Sequence, residues 1–385
     1  MTHYQMSDVA VEVNDRENNP ASSKYDRFVG LEHYVSGEVI IRNYGSTENL
    51  ESTMKIFQSG DVLVARRNVY LKRASMVDFD GLTSGDSIVL RAKNPVIGRI
   101  LPFVLNTDAF WDFADQYSDG TMSKRLSPKT LMTYEFDLPD EDELEKFADL
   151  LWAANDARES YQALLRQTDE LVKSQFIELF GRPEDNNMGW DMGTIRDIVS
   201  DVRYGSSRQA SSDGKYPYIR MNNITYGGEL DLTDLKRINI PDNELAKCTV
   251  RKGDVLFNRT NSKELVGKTC LYDRDETMVL AGFVIRVRMN EKATPEFLVQ
   301  YMNLPYMKEL LLSMCKAACG QANINAQELQ NIPIYIPPID IQKRFIVLKQ
   351  QTDKSKFVAY QETFFIEKIL KYTYNHTFRR KNNVH

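Results

Sequence analysis

The chain has 385 residues, 42% of them hydrophobic, and a formal net charge of −5. That length suggests two or three domains at roughly 100–200 residues each. No stretch approaches the ~20 apolar residues of a membrane span, and the polar, acidic start (Asp8, Glu12, Asp15, Glu17) shows no signal-peptide pattern, so a cytoplasmic protein with no membrane partner is expected. Cys248, Cys270, Cys315 and Cys319 form no Cys-x-x-Cys pair, and His3, His33, His376 and His385 are scattered, so no metal site is expected. Cys315 and Cys319, four apart on an expected helix, read as small residues on one face rather than a redox pair.

Residues 1–24 are polar, with Asn18-Asn19-Pro20 and Ser22-Ser23, and read as poorly ordered within a first mixed domain over 1–140. Strand signals follow at Glu38–Arg42, Asp61–Ala65 and Ser87–Arg91, with turns at Ser59-Gly60-Asp61 and Ser84-Gly85-Asp86. Tyr134–Leu138 alternates with period two and stops at Pro139. From Asp140 to Phe180 there is neither proline nor glycine, and Leu144, Phe147, Leu151, Ala154, Tyr161, Leu165, Val172 and Leu179 recur at helical spacing. The acidic opening Asp140–Glu143 suits a helix N-terminus, and Gly181 with Pro183 suits its end. A helical spacer over 141–181 is therefore predicted, a rod of roughly 60 Å at 1.5 Å per residue.

A second mixed domain spans 182–338, with strand signals at Tyr216–Arg220, Asp254–Phe257, Gly282–Arg288 and Ile332–Ile336, and one helix predicted over Pro295–Ala318. From Ile339 to His385 proline and glycine are again absent. There Ile341, Phe345, Leu348, Val358, Phe365, Ile369 and Leu370 mark a second helical spacer over 339–385, with Pro337 and Pro338 at its mouth.

The chain is written twice. Gly60-Asp61-Val62-Leu63 returns 193 residues later as Gly253-Asp254-Val255-Leu256. Leu126-Ser127, Leu131, Tyr134, Phe136, Leu138 and Pro139 return after 198 residues as Ile324-Asn325, Leu329, Ile332, Ile334, Ile336 and Pro337, with Phe147 and Leu150 matching Phe345 and Leu348. A period this long is a domain duplication, since solenoid repeats run about 20–50 residues. Residues 141–180 hold ten Asp/Glu and four Lys/Arg, whereas residues 341–385 hold three and ten. Two narrow amphipathic helices of opposite charge bury their stripes most simply as an antiparallel pair. The expected class is α+β: two similar mixed α/β domains separated by two long helices packed as an antiparallel coiled coil, with pseudo-two-fold symmetry.

Motifs for catalysis do not emerge. There is no glycine-rich phosphate loop, no Gly-x-Ser-x-Gly elbow, and Tyr335-Ile336-Pro337-Pro338 lacks the polar residue that an amino-methyltransferase places before its prolines. Asp234-Leu235-Lys236 is too short a match to a nuclease site to count. The chain reads as a binder. In the first half Arg66, Arg67, Lys72, Arg73 and Lys124 gather in loops; in the second, Arg203, Tyr204, Ser206, Ser207, Arg208, Lys215, Arg220, Asn222, Asn258, Arg259, Asn261 and Lys263 do the same. Arginine pairs bidentately with guanine and asparagine with adenine, while hydroxyls and lysine reach phosphates, so these loops are candidates for nucleic-acid contact. Arg66/Arg67 and Arg259 occupy equivalent places in the two copies. The glycine loops around Gly120 and Gly320 are polar and equivalent too.

The pattern resembles the specificity subunit of Type I restriction–modification systems over nearly the whole chain. The resemblance rests on Ser174–Gly181, Tyr216–Arg220 with Asn222-Asn223-Ile224, Lys252–Leu256 with Arg259, and Asn323–Leu329 running through Ile334-Tyr335-Ile336-Pro337-Pro338. It implies a target-recognition domain in each half reading a few base pairs in the major groove. The paired helices would fix the gap of a bipartite target. Two modification subunits would carry S-adenosylmethionine and methylate adenine at N6. Restriction/motor subunits would bring ATP and Mg for cleavage in antiviral defence. This chain would itself bind no cofactor and catalyse nothing. The first half departs from the pattern: no opening segment is evident like Trp190…Ile195-Arg196-Asp197-Ile198, and its Gly120 loop is less typical than that of Gly320. Unrelated half-sites are therefore expected. The alternative is a coiled-coil scaffold with two protein-binding heads, which would give no sequence-dependent gel shift.

Overall fold

Each Gly-Asp turn opens a buried strand, and the same four-stranded antiparallel sheet is built around it in both halves of the chain. A computed structural model describes residues 1–121, 123–262, 265–315 and 322–377. They divide into two units: Met1–Ala163 with the segment from Ala359 onward, and Leu164–Val358.

The first unit runs β1 (Thr2–Gln5), α1 (Met6–Val9), β2 (Ala10–Val13), β3 (Arg16–Glu17), β4 (Arg27–Val29), β5 (Gly45–Ser46), β6 (Met54–Phe57) and β7 (Val62–Ala65). It continues with β8 (Ala74–Met76), β9 (Gly81–Thr83), β10 (Ser87–Ala92), α2 (Pro95–Val104), α3 (Asp108–Tyr117), α4 (Pro128–Leu131) and β11 (Glu135–Leu138), before α5 (Leu144–Phe180) begins. The main sheet has the order β2-β10-β7-β8, and a second sheet has the order β3-β6-β9-β4-β5 with a parallel β4–β9 pair. Two expectations are corrected. Residues 1–24 are ordered: β1 pairs with β11 (Tyr4 opposite Phe136) and β2 pairs with β10. Glu38–Arg42 is not a strand; only Ile40 bridges to Met76, while Val39 and Ile41 are buried as loop residues.

The second unit runs β12 (Met192–Thr194), β13 (Val199–Tyr204), β14 (Tyr216–Ile219), β15 (Lys236–Ile238), α6 (Asp242–Cys248), β16 (Thr249–Val250), β17 (Val255–Asn258) and β18 (Thr260–Asn261). Then come β19 (Thr269–Leu271), β20 (Met278–Leu280), β21 (Val284–Met289), α7 (Pro295–Met302), α8 (Pro305–Met314), β22 (Ala322–Asn323), α9 (Ala326–Gln330), β23 (Pro333–Tyr335) and α10 (Ile339–Thr377). Its main sheet, β13-β21-β17-β19, repeats the first unit's strand for strand. Its second sheet, β15-β14-β20-β16, keeps the parallel pair as β14–β20. The single helix expected over Pro295–Ala318 is two helices, because Pro305 cannot donate to a continuing ladder and starts α8 instead. Residues 316–318 and Cys319 lie outside the described residues.

The opening segment expected only in the second unit exists in both. Asp197 accepts the Thr194 N–H at 2.7 Å ahead of a short helical turn, and Asp8 accepts the Gln5 N–H at 2.8 Å ahead of α1. The Gly-Asp turns are equally matched. Gly60 and Gly253 both sit at φ +90°, a conformation side chains resist. Asp61 and Asp254, 2% and 1% exposed, each accept a backbone N–H (Gln58, Arg251) and grip an arginine of the neighbouring strand, Arg91 and Arg288.

Within the second unit, the end of α5 and the start of α10 run antiparallel. Phe176 meets Phe345 with ring centres 5.3 Å apart, and Asp169 meets Lys356 at 2.8 Å, so one index falls as the other rises. The seam is chiefly aromatic, with Phe180 and Phe297 completing the cluster. Lys356 also pairs with Glu229. Within the first unit, Leu144, Ala148 and Leu151 of α5 share a core with Ile366 and Leu370 of α10.

Candidate nucleic-acid interface

The strand that follows each Gly-Asp turn is followed at once by an arginine, and the backbone there makes the same junction in both units. In the first, the Arg66 N–H donates to the Asp86 carbonyl (2.9 Å) and the Arg66 carbonyl accepts from Leu126 (2.8 Å). In the second, the Arg259 N–H donates to the Phe283 carbonyl (3.0 Å) and the Arg259 carbonyl accepts from Ile324 (2.9 Å). Arg67 then bridges Arg125, as Thr260 pairs with Asn323. The strand-exit loop and the segment before α4 or α9, read separately from sequence, are thus one structure.

Side chains in the first unit are held by carboxylates. Asp86 takes Arg125 at 2.5 Å and Arg67 at 3.5 Å. Lys72 pairs with Asp108 (2.9 Å) and Lys124 with Asp115 (2.6 Å). Asn68 and Lys72 adopt left-handed backbone, at φ 56° and 48°, around a single helical turn, and Asn68 is pinned by Ser123 Oγ at 3.0 Å. Arg73 is spent on carbonyls of Leu31 and Arg67, so it braces the loop rather than facing out. Arg66 is half-buried, its Nε without a partner.

In the second unit the Arg259 guanidinium lies 5.0 Å over the Tyr204 ring and its Nε donates to Asn323 at 3.2 Å. The Tyr204 hydroxyl accepts from the Ala326 N–H (2.8 Å). Ser206 is buried, and its carbonyl accepts from the Gly282 N–H, while Ser207 beside it is exposed. Phe283, 54% exposed, is joined to Arg259 by the backbone bond that its carbonyl accepts. Asn258 is buried with its amide on the Met221 carbonyl, which makes it a brace rather than a contact residue. Asn222 is exposed on the adjoining turn, beside Arg220, which is paired with Asp234 at 2.7 Å. Arg203 pairs with Asp201, Arg208 with Glu244, and Lys215 is exposed beside Tyr216. The backbone of Asn261 pairs with Ala322, and Lys263 lies outside the described residues, as does Gly320.

These ion pairs leave a mark on the acids. The Arg220 and Lys236 partners hold Asp234 below the usual carboxylate range, and Arg208 does the same for Glu244. At Asp201 burial works upward, but the guanidiniums of Arg203 and the buried Arg286 outweigh it. Exposed pairs such as Arg220–Asp234 and Arg208–Glu244 are weak, so a phosphate can take over the cation with little loss. The sequence reading placed Arg125 and Asn323 only within the polar glycine loops, and Asp86 and Phe283 only in a turn and a strand, without joining the four to the arginine loops. Their importance comes from backbone pairing across long chain separations, which no local pattern records.

Among the described residues no helix is long and apolar enough to cross a membrane. Two α+β units of one topology, each with an arginine-led loop junction at the same place, define an internally duplicated protein. Residues 187–367 match the family model of the Type I restriction modification DNA specificity domain. The chain is 28% identical over 175 residues to a Methanocaldococcus jannaschii protein named as the MjaX type I restriction enzyme specificity subunit, covering 44% of this chain and 40% of that one. It is 25% identical over 191 residues to the EcoKI specificity subunit of Escherichia coli K12, covering 49% and 39%. These matches therefore span about two fifths of the relatives' own length. The crystal structure of the Type I S subunit from M. genitalium shares the fold across 99% of this chain and 96% of its own, with TM-score 0.56 at 13% identity. A chain from a study of complex assembly in the type I R-M system does so across 98% and 97%, with TM-score 0.51 at 18% identity. Residues 187–367, just under half of the chain, thus carry the match to the Type I restriction modification DNA specificity domain, and the chain is similar to type I specificity subunits.

Proposed function

We propose that this chain reads a bipartite double-stranded DNA target, one half-site per unit, with a fixed gap between the halves. The observation that carries the reading is the duplicated junction: one backbone arrangement, repeated, presenting different side chains. Two copies of one scaffold with unlike loops suit two unlike half-sites. Fixed cations and amides there match what base edges and phosphates accept.

The chain then acts as the recognition part of a larger cytoplasmic assembly. Two modification subunits supply S-adenosylmethionine and adenine methylation, and motor subunits supply ATP- and Mg-dependent cleavage; the chain itself catalyses neither. A surface suited to such partners is present on α10, where Tyr360, Phe364, Phe365 and Ile369 are 44–63% exposed. Exposed aromatic residues of this density mark an interaction face.

Methylome sequencing of a host carrying the complete system tests the reading. Two short, unrelated motifs separated by a constant number of unspecified bases are expected. A single continuous motif, or methylation independent of this chain, would refute it. A protein scaffold would leave methylation patterns unchanged on its removal.

A further inference from the structure

The junction that repeats in both units carries four equivalent side chains: Arg66, Arg67, Asp86 and Arg125 in the first, Arg259, Thr260, Phe283 and Asn323 in the second. The correspondence is set by backbone bonds, since Arg66 and Arg259 donate to the carbonyls of Asp86 and Phe283, each just before the equivalent strands β10 and β21. The same spot therefore holds a carboxylate in one unit and an exposed aromatic ring in the other.

These two residues do opposite things. Asp86, one quarter exposed, holds the half-exposed guanidiniums of Arg125 and Arg67 at 2.5 and 3.5 Å. A guanidinium fixed on one edge by a carboxylate keeps other N–H groups free and aimed, the arrangement that suits a guanine edge. Phe283 has no polar side-chain atom, and its ring is 54% exposed. Its carbonyl takes the backbone N–H of Arg259, the residue whose guanidinium stacks on Tyr204 and donates to the Asn323 amide. An apolar ring set among groups suited to nucleic acid matches the single apolar feature of the major groove, the thymine C5-methyl.

We propose that positions 86 and 283 are the specificity-determining pair: Phe283 reads a thymine methyl in the half-site of the second unit, and Asp86 presents Arg67 and Arg125 to guanine in the half-site of the first. This rests on the DNA-recognition reading above and assigns its chemistry. Each residue acts on its own half-site alone.

The experiment selects duplexes from a random library with the chain assembled with its modification subunits, then replaces each thymine of the selected sites by deoxyuridine. For the wild type, uracil at one position of one half-site weakens binding about fivefold, the effect of one methyl buried on a ring. Phe283→Ala binds thymine and uracil equally there and leaves the other half-site unchanged, whereas Phe283→Leu keeps the discrimination. Asp86→Asn lowers preference for a guanine in the other half-site by ~10-fold. Thermal unfolding confirms that all three variants fold. Wild-type indifference to uracil, a half-site without thymine, or Phe283→Leu behaving as Phe283→Ala overturns the Phe283 assignment. Unchanged guanine preference in Asp86→Asn overturns the Asp86 assignment. If the wild-type assembly selects no sequence at all, the recognition reading itself falls.

Discussion

Asp61 and Asp254 are buried acids whose oxygens are all engaged by a turn N–H and a guanidinium. Removing one partner of a buried charge pair leaves the other without compensation, which costs about 3 kcal/mol or more. Because Arg288 retains some water access, Asp254→Asn is expected to destabilise by about 2 kcal/mol, read as a shift in urea midpoint at constant slope. An unchanged midpoint would show that the pair is incidental. This lock was legible as the repeated Gly-Asp dipeptide, though its arginine was not, because Arg91 and Arg288 lie 30 and 34 residues away on another strand. At the interface the same limit applied more severely. Arg66, Arg67 and Arg259 were singled out by their position after a marked strand, while Asp86 and Phe283 looked like ordinary strand-entry residues. Asn258 and Arg73 were over-read, since composition cannot distinguish a polar side chain facing solvent from one bracing a loop.

Long elements were the most readable. Both helices were recognised from uninterrupted periodicity, and α5 and α10 begin within a few residues of the expected places. Short elements were not. The β4–β9 pair joins Phe28 to Leu82 in strands of three residues, too brief to show a period. Likewise α2 was hidden by Pro102 inside it, and α1 by its length of four residues. The charge opposition of the two helices turned out to matter less than their apolar stripes: the seam of the second unit is chiefly Phe176, Phe180 and Phe345, with Lys356–Asp169 beside it. Late in α10, Lys371 and Lys72 both bind Asp108 and hold its carboxyl below the ordinary range, against a smaller upward push from burial. A depressed acid contributes stability that is complete above its unfolded pKa, ~3.9, and disappears as pH falls through the lower folded value. Wild type should therefore lose stability relative to Asp108→Asn below about pH 4, by under ~1 kcal/mol for so exposed a cluster. Parallel pH profiles of thermal unfolding for the two proteins would show the pair to be inert.

At the scale of the molecule, the duplication was visible in sequence as offsets of 193 and 198 residues, and the strand order of the two main sheets agrees with it. What could not be read was how the chain divides, since α5 and α10 each contribute to both units. If the two helices set the gap in the DNA target, adding four residues to each lengthens the rods by about 6 Å. The methylated motif should then tolerate a gap one to two base pairs longer, with both half-sites unchanged, as sequencing of the modified host would report. An unchanged gap would remove the helices from that role.

The division of the chain has one more consequence. Residues 164–358 hold the second unit without interruption, whereas the first unit needs Leu370 from α10 for its core. On the ribosome the second unit can close as soon as its own residues emerge. The first, though translated earlier, gains the Leu370 part of its core only once α10 is made, so order of synthesis and order of completion are reversed.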